Sequence, residues 1–410
     1  MGRGNRVTID ASTPVVVLRC ARHGGLGITR SLGRLGVPVF NVDAGRWVPA
    51  FVSRYSAGRF QWDIESAPER ESLRFLEDVA GKIGKRPILI PTSDNIAMFV
   101  ADHAERLAQS FSFARPGAQM VRTLCSKKEM YFLAKRLGIP TAETAFPQNR
   151  ADVLRHLETA RFPIMLKGIL GSKLDSRSGK RMFLVHDRKQ LLQHYDACEN
   201  PDAPNIMLQE YIPGGDDTVW MFNGYFDSNS DCSVAFTGKK IRQYPVYTGL
   251  TSLGICLKNE TVERRTREFM KAVGYRGILD IGYRYDARDN EYKVLDINPR
   301  VGATFRLFVG ANGMDVIRAL YLDLTGQPAQ TANTQEGRKW LVEDCDLISC
   351  YRYFRDGKLT FGEWVKSHRG VAETGIFAAD DPLPALWMGF RDLDIFIRRA
   401  LRLGESGGLM

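Results

Sequence analysis

Residues 277–300 carry two short strands that turn back on each other and bring carboxylates to one face. Residues 278–285 and 291–297 alternate apolar with polar side chains, the period of a half-buried strand, and the polar stretch Ala287-Arg288-Asp289 joins them. A hairpin symmetric about Arg288 predicts Asp280 directly opposite Asp296, with Asn298 two residues further along the same face. Leu279, Ile281, Leu295 and Ile297 then turn toward the core. Like charges placed opposite one another destabilise a strand pair. A divalent cation with oxygen ligands removes that cost, and Mg²⁺ shared between carboxylates and nucleotide phosphates is the usual case, with Mn²⁺ the alternative ion. The competing account is a slipped register that leaves two solvated edge aspartates. Asn298 and Arg300, which extend the same polar cluster, weigh against it.

Other metal chemistries lack ligands. The seven cysteines are scattered singly without a CxxC pair, and the six histidines show no HExxH pattern. A disulfide framework and a zinc site are therefore not expected. At 410 residues the chain is too long for one ordinary core, and two or three domains are expected. Residues 1–10 lack the apolar stretch of a signal peptide and no apolar run is long enough to span a bilayer, so the expected location is the cytoplasm. The formal net charge of +10 fits nucleic acid, an anionic membrane or small anionic substrates. The basic residues form no single aromatic-laced stripe, which points away from nucleic acid and toward small anions.

Residues 1–120 read as an open, parallel α/β domain. Residues 15–20 suit a buried strand, His23-Gly24-Gly25-Leu26-Gly27 turns into a helix ending near Gly36, and 37–42 is a second strand closed by Asp43. Residues 87–90 form another strand, and Thr92-Ser93-Asp94 caps a helix over 95–109. Ligands sit at the C-terminal ends of such strands, which makes Arg22, His23 and Asp94 candidate substrate residues. Gly25-x-Gly27 with Asp43 imitates a dinucleotide fingerprint, but Arg30 stands where the third glycine belongs.

From Ser126 the character changes. Ser126-Lys127-Lys128-Glu129 is a capping box opening a helix to Leu137. Lys127 and Lys128 occupy its first turn, where the helix dipole disfavours cations, so they are either solvated or turned toward an anion. Residues 164–167 form a strand ending in Lys167. Residues 168–180 form a loop of glycines, serines and cations, including Lys173, that either folds over phosphates without being a GxxxxGK[ST] loop or is a long exposed basic hairpin loop. Gln209-Glu210-Tyr211-Ile212-Pro213 runs from a strand into a turn that ends at Asp216 and Asp217.

This order of parts resembles the ATP-grasp superfamily over roughly residues 10–325, and within it the carboxylate–amine ligases, including D-aspartate ligase-like proteins. The resemblance implies an N-terminal α/β domain over 1–120 and an ATP-grasp domain over 121–330, with lobes of about 121–205 and 206–330. A C-terminal extension over 331–410 follows. It implies that Lys127 and Lys167 contact phosphates or adenine. Glu210 with Tyr211 and Ile212 would hold adenine, and Asp217 the ribose. Asp280, Asp296 and Asn298 would hold Mg²⁺, while Arg300 and Lys173 would act on the acyl phosphate. Asp296 stands where glutamate is commoner in the family, and Lys239, Lys240 and Arg242 share the place of a further phosphate cation.

The implied activity is an ATP-dependent joining of a carboxylate to an amine, an amino acid being the candidate amine. The alternatives are an ATP-grasp kinase or carboxylase, and a non-catalytic ATP-binding module. A homodimer is the default oligomer. Residues 383–403 read as an amphipathic helix with Trp387, Phe390 and several arginines, placed either on the protein body or on a membrane surface.

Overall fold

The computed structural model describes residues 9–169, 174 and 182–406, with residues 395–406 as helical backbone only. The N-terminal unit contains β1 (Val15–Leu18), α1 (His23–Gly33), β2 (Val39–Asp43), β3 (Ser56–Gln61), α2 (Glu69–Ile83), β4 (Ile88–Pro91), α3 (Asp94–Asp102) and α4 (Ala104–Leu107). Its four strands pair in parallel in the order β3-β2-β1-β4. β1 is buried throughout, which is why it reads as an unbroken Val-Val-Val-Leu run. Parallel pairing puts Arg19, Asp43 and Thr92 at one edge of the sheet.

Two local expectations change here. The glycines 24, 25 and 27 lie inside the first turns of α1, not ahead of it. They permit close approach: a Cβ on Gly25 would lie 2.4 Å from Cα of Cys20, and one on Gly27 would lie 2.9 Å from Cγ of Arg306. The helix expected over 95–109 breaks at His103, whose φ of −104° and ψ of 21° are not helical. Its N-cap is Ser93, whose hydroxyl accepts from the amide of Ile96.

α5 (Ala118–Cys125) and α6 (Lys127–Arg136) lead into a small lobe of β5 (Thr144–Ala145), α7 (Arg150–His156), β6 (Ile164–Gly168), β7 (Met182–Val185), α8 (Arg188–Cys198) and β8 (Ile206–Glu210). Its antiparallel sheet has the order β5-β8-β6-β7, over a core that includes Ile164, Leu166, Val185, Leu191 and Leu208. β8 pairs with β6, so the division expected at 205 falls after residue 210. α6 packs its Met130 and Leu133 into the core of the next sheet, away from the small lobe.

The large sheet is built from β9 (Val219–Phe226), β10 (Cys232–Tyr244), β11 (Leu250–Cys256), α9 (Glu260–Ala272), β12 (Gly277–Asp286), β13 (Glu291–Asn298) and α10 (Val316–Leu324). The remaining elements are β14 (Lys339–Leu341), α11 (Glu343–Arg355), α12 (Phe361–His368), β15 (Val371–Thr374) and α13 (Leu383–Ser406). Seven strands follow the order β13-β12-β9-β10-β11-β14-β15. Within the segment expected as an extension, β14 and β15 thus supply the last two strands, and Trp340 is among the largest fully buried side chains. The segment is further tied down by buried ion pairs, Arg242–Asp346 at 2.7 Å and Arg30–Asp381 at 2.9 Å.

α13 lies on the body through Trp387, whose ring is tilted at 48° to that of Trp47 with centroids 4.7 Å apart, and through buried Met388. Leu383, Leu386, Phe390 and Leu393 remain exposed. No helix among the described residues is long and apolar enough to cross a membrane.

Candidate active site

The β12–β13 hairpin does not have the register expected from symmetry about Arg288. Asp280 pairs with Asn298, and Asp296 pairs with Gly282. Near the turn, Asp286 pairs with Glu291 and Tyr283 with Val294; continued unchanged, that register would set Ile297 opposite Asp280. An irregularity between Gly282 and Tyr283 leaves Leu295 unpaired and shifts β13 by one residue. Because strand faces alternate, this shift is what returns Asp296 and Asn298 to the face of Asp280. Asn298 Nδ2 lies 3.4 Å from Asp280 Oδ2 and 3.3 Å from Asp296 Oδ2. The expected trio is therefore together, although its strand partners differ.

Glycines make room for it. A Cβ on Gly282 would lie 2.7 Å from Asp296 Oδ1, and one on Gly302 would lie 2.5 Å from Asp280 Cγ. Burial pushes the Asp280 carboxyl up to about 6; Asp296 adds to the shift and Arg300 opposes it. Two carboxylates on one face, one of them reluctant to ionise alone, form a donor pair suited to a hard divalent cation, and the Asn298 amide beside them turns its nitrogen to the carboxylates and its Oδ1 to Arg300.

Cations face this cluster. Lys167, at the end of β6, donates from Nζ to Gln209 Oε1 at 2.7 Å. Burial pushes its pKa down to about 8; Lys127 and Arg284 press the same way, while Asp296 opposes them. Lys127 stands in the first turn of α6, its backbone amide donating to the Ile169 carbonyl at 3.3 Å. The three cations left unresolved on β10 now separate. Arg242 is buried in its pair with Asp346. Lys239 covers the ring of Trp220, 4.6 Å from its centroid. Lys240 donates to the carbonyl of Gly249 at 2.9 Å; burial lowers its pKa, and Asp296, Asp280 and Asp216 counteract that. Lys240 is the one that faces the carboxylates.

The strand-to-turn segment is more constrained than its sequence suggests. Glu210 spends its carboxylate on Arg288 at 2.8 Å, Lys293 at 3.3 Å and the amide of Glu143 at 3.0 Å. Its expected adenine contact is left to the main chain around it. Tyr211 is covered by Arg284, 5.4 Å from its centroid, and Arg284 also donates to the Gly214 carbonyl at 2.5 Å. Ile212 is buried and Asp217 is exposed in the turn that follows. Neighbouring Asp216 is engaged by Gln243 at 2.7 Å and by Tyr353.

On the side of the N-terminal unit, Arg300 joins the domains. Its Nε donates to Asp94 Oδ1 at 2.9 Å and its Nη2 to Asn298 Oδ1 at 3.0 Å. Arg300 and Asp94 thus belong to the same polar network as the acidic trio. Arg22 is exposed just ahead of α1, but His23 is 8% exposed with its ring 5.3 Å from Trp340. Burial pushes His23 down to about 4, so it is a neutral packed side chain at physiological pH. The structure does not bring His23 into the polar network. Lys173, with most of its loop, lies outside the described residues.

Sequence reasoning missed Arg284 and Asn223. Asn223 is wholly buried on β9 and in register with Asp280. Its signal was a lone amide within the apolar run Val-Trp-Met-Phe-Asn-Gly-Tyr-Phe. Arg284 gave no signal, being one cation among many on an alternating strand.

No family model matches the chain. It is 24% identical over 260 residues to the D-aspartate ligase of Enterococcus faecium, covering 60% of this chain and 60% of that protein. It is 20% identical over 242 residues to the biotin carboxylase of Pseudomonas aeruginosa, covering 55% and 51%. The chain thus spans 60% or less of the length of these curated relatives. Among solved structures, an N5-carboxyaminoimidazole synthetase from Staphylococcus aureus complexed with ADP superposes with a TM-score of 0.61 at 15% identity, covering 86% of this chain and 88% of that one. An L-amino acid ligase from Bacillus licheniformis superposes with a TM-score of 0.55 at 15% identity, covering 77% and 75%.

Proposed function

We infer that this chain, which carries the ATP-grasp fold, is an ATP-dependent ligase that joins a carboxylate to an amine through an acyl phosphate. The observation that carries the reading is the convergence of Asp280, Asp296 and Asn298 with Lys167, Lys240 and Arg300. A carboxylate–amide trio faces cations supplied by both lobes. The relatives named as a D-aspartate ligase and an L-amino acid ligase support it. They also make an amino acid the first candidate for one substrate.

Asp280, Asp296 and Asn298 would hold Mg²⁺, which supplies charge neutralisation at the nucleotide phosphates. Lys127, Lys167 and Lys240 bind and orient the phosphate oxygens. The main chain at Tyr211 and Ile212 receives adenine, and Asp217 the ribose hydroxyls. A carboxylate oxygen of the substrate attacks the γ-phosphorus and ADP leaves. The amine nitrogen then attacks the acyl carbon, phosphate departs with that carboxylate oxygen, and the amine releases its proton. Arg300, fixed by Asp94 and Asn298, aims positive charge at the acyl phosphate, where charge develops in both steps. The chain needs no nucleophilic side chain of its own.

The test is ADP release with Mg²⁺ against a panel of amino acids and small carboxylic acids, with products weighed. A product lighter by one water than the sum of one carboxylate and one amine establishes the ligase. A phosphorylated product, or a carboxylated one that requires bicarbonate, moves the assignment to a kinase or a carboxylase. ATP binding without turnover across the panel contradicts the ligase reading for amino-acid substrates.

A further inference from the structure

A cavity of about 290 Å³, with Arg300 in its lining, opens between the N-terminal unit and the large sheet. Its walls come from distant parts of the chain. Ala97, Val100 and Ala101 come from α3, Ala114 to Ala118 from the segment leading into α5, and Ile278, Val301 and Leu320 from the sheet and α10. Small side chains create the space. Five alanines line it, and the segment leading into α5 turns at Gly117, whose φ is +84°. Protein interiors are otherwise packed with few voids larger than a water molecule, and an empty apolar cavity costs stability. The volume sits at the lower edge of the range for ligand pockets, which suits a small molecule.

The charges along its lining are unequal in how they are compensated. Arg300 is held by Asp94, Asp102 pairs with Arg122 at 2.6 Å, and Glu105 lies 3.4 Å from Arg115. Arg276 is exposed on the lining and has no ion pair among the described residues. An apolar body is therefore matched by the walls, and one negative charge is matched by Arg276, with Arg115 beside the same cavity. Asp280 and Asp296 do not line it; Arg300 is the residue it shares with the proposed active site.

We propose that this cavity binds a small anion with an apolar body, such as a medium-chain or aromatic carboxylate or sulfonate. The test does not use activity, so its failure and a failure of the ligase reading are distinguishable. The probe is 1-anilinonaphthalene-8-sulfonate, followed by its fluorescence on the full chain. Saturable one-site binding is expected, with displacement by octanoate at concentrations where octanol displaces little. Ala101→Phe fills the cavity and should abolish the site. Arg276→Glu changes an exposed side chain that folding does not need, and should weaken the probe by about tenfold, the loss of one charge-assisted contact. Fluorescence unchanged in both variants places the probe elsewhere, for example on the exposed apolar side of α13, and overturns the proposal. So does displacement by octanol as effective as that by octanoate.

Discussion

One unpaired residue, Leu295, decides whether the hairpin can hold a cation. It puts Asp296 and Asn298 on the face of Asp280, and the side chains then crowd within hydrogen-bond reach. Asp296→Ala should lower ADP formation by about 10²- to 10³-fold, the loss of one group that stabilises charge in the transition state. Its thermal midpoint should hold or rise, because a like-charge neighbour of Asp280 is removed; normal turnover would remove the cluster from the mechanism. The same reasoning separates neighbours on β10. Lys240→Met should cost about 10²-fold in turnover and Lys239→Met little, since only Lys240 faces the carboxylates. That the trio belongs together was legible from its spacing, but the bulge was not, because strand alternation fits two registers equally well. The facing of Lys240 was illegible for a similar reason: three cations within four residues cannot be ranked before the strand's neighbours are known.

At the same hairpin, a structural carboxylate gives a pH prediction. Asp286 is fully buried between Arg288 and Lys293, whose hydrogen bonds hold its carboxyl well below the usual range. The unfolded chain protonates it near pH 4. Its contribution to stability is therefore complete above that pH and is lost as the pH falls toward its lower folded pKa. Asp286→Asn should lower stability at pH 7 by about 3 kcal/mol, by leaving two cations without their buried partner. The difference from wild type should shrink steadily below pH 4 in urea titrations; a pH-independent difference would show that the ion pairs are not its source.

At the scale of elements, the parts with strong local signals appear where the sequence puts them: the Ser126 cap of α6, the Ser93 cap of α3 and the length of α13. Expectations failed where distant contacts decide. The glycines of α1 serve Cys20, Ala303 and Arg306, which no local pattern announces. The lobe division depends on β8 pairing with β6, and residues 331–410 join the sheet through β14, only three residues long. The segment beyond β15 is pinned by Asp381, which accepts from Arg30 Nε, the Ser53 hydroxyl and the Arg54 amide. Asp381→Ala leaves Arg30 buried without its partner and should cost about 3–5 kcal/mol. Limited proteolysis should then cut near residues 376–382 faster than in the wild type, and an unchanged cleavage pattern would mean that α13 is held by Trp387 and Met388 alone.

At the scale of the whole molecule, the polar network spans all three units. Lys167 comes from the small lobe, Asp280, Asp296 and Lys240 from the large sheet, and Asp94 from the N-terminal unit. Arg300 ties the last two together. Such a site closes over its substrates only when the lobes keep their relation, and water excluded at that point cannot hydrolyse an acyl phosphate. The central claim is that acyl phosphate. The most direct measurement supplies the substrate carboxylate labelled with ¹⁸O in both oxygens and weighs the phosphate released. One ¹⁸O atom in each phosphate is the predicted result, because the attacking carboxylate oxygen leaves with phosphorus. Phosphate without label, formed alongside the same product, would contradict the account.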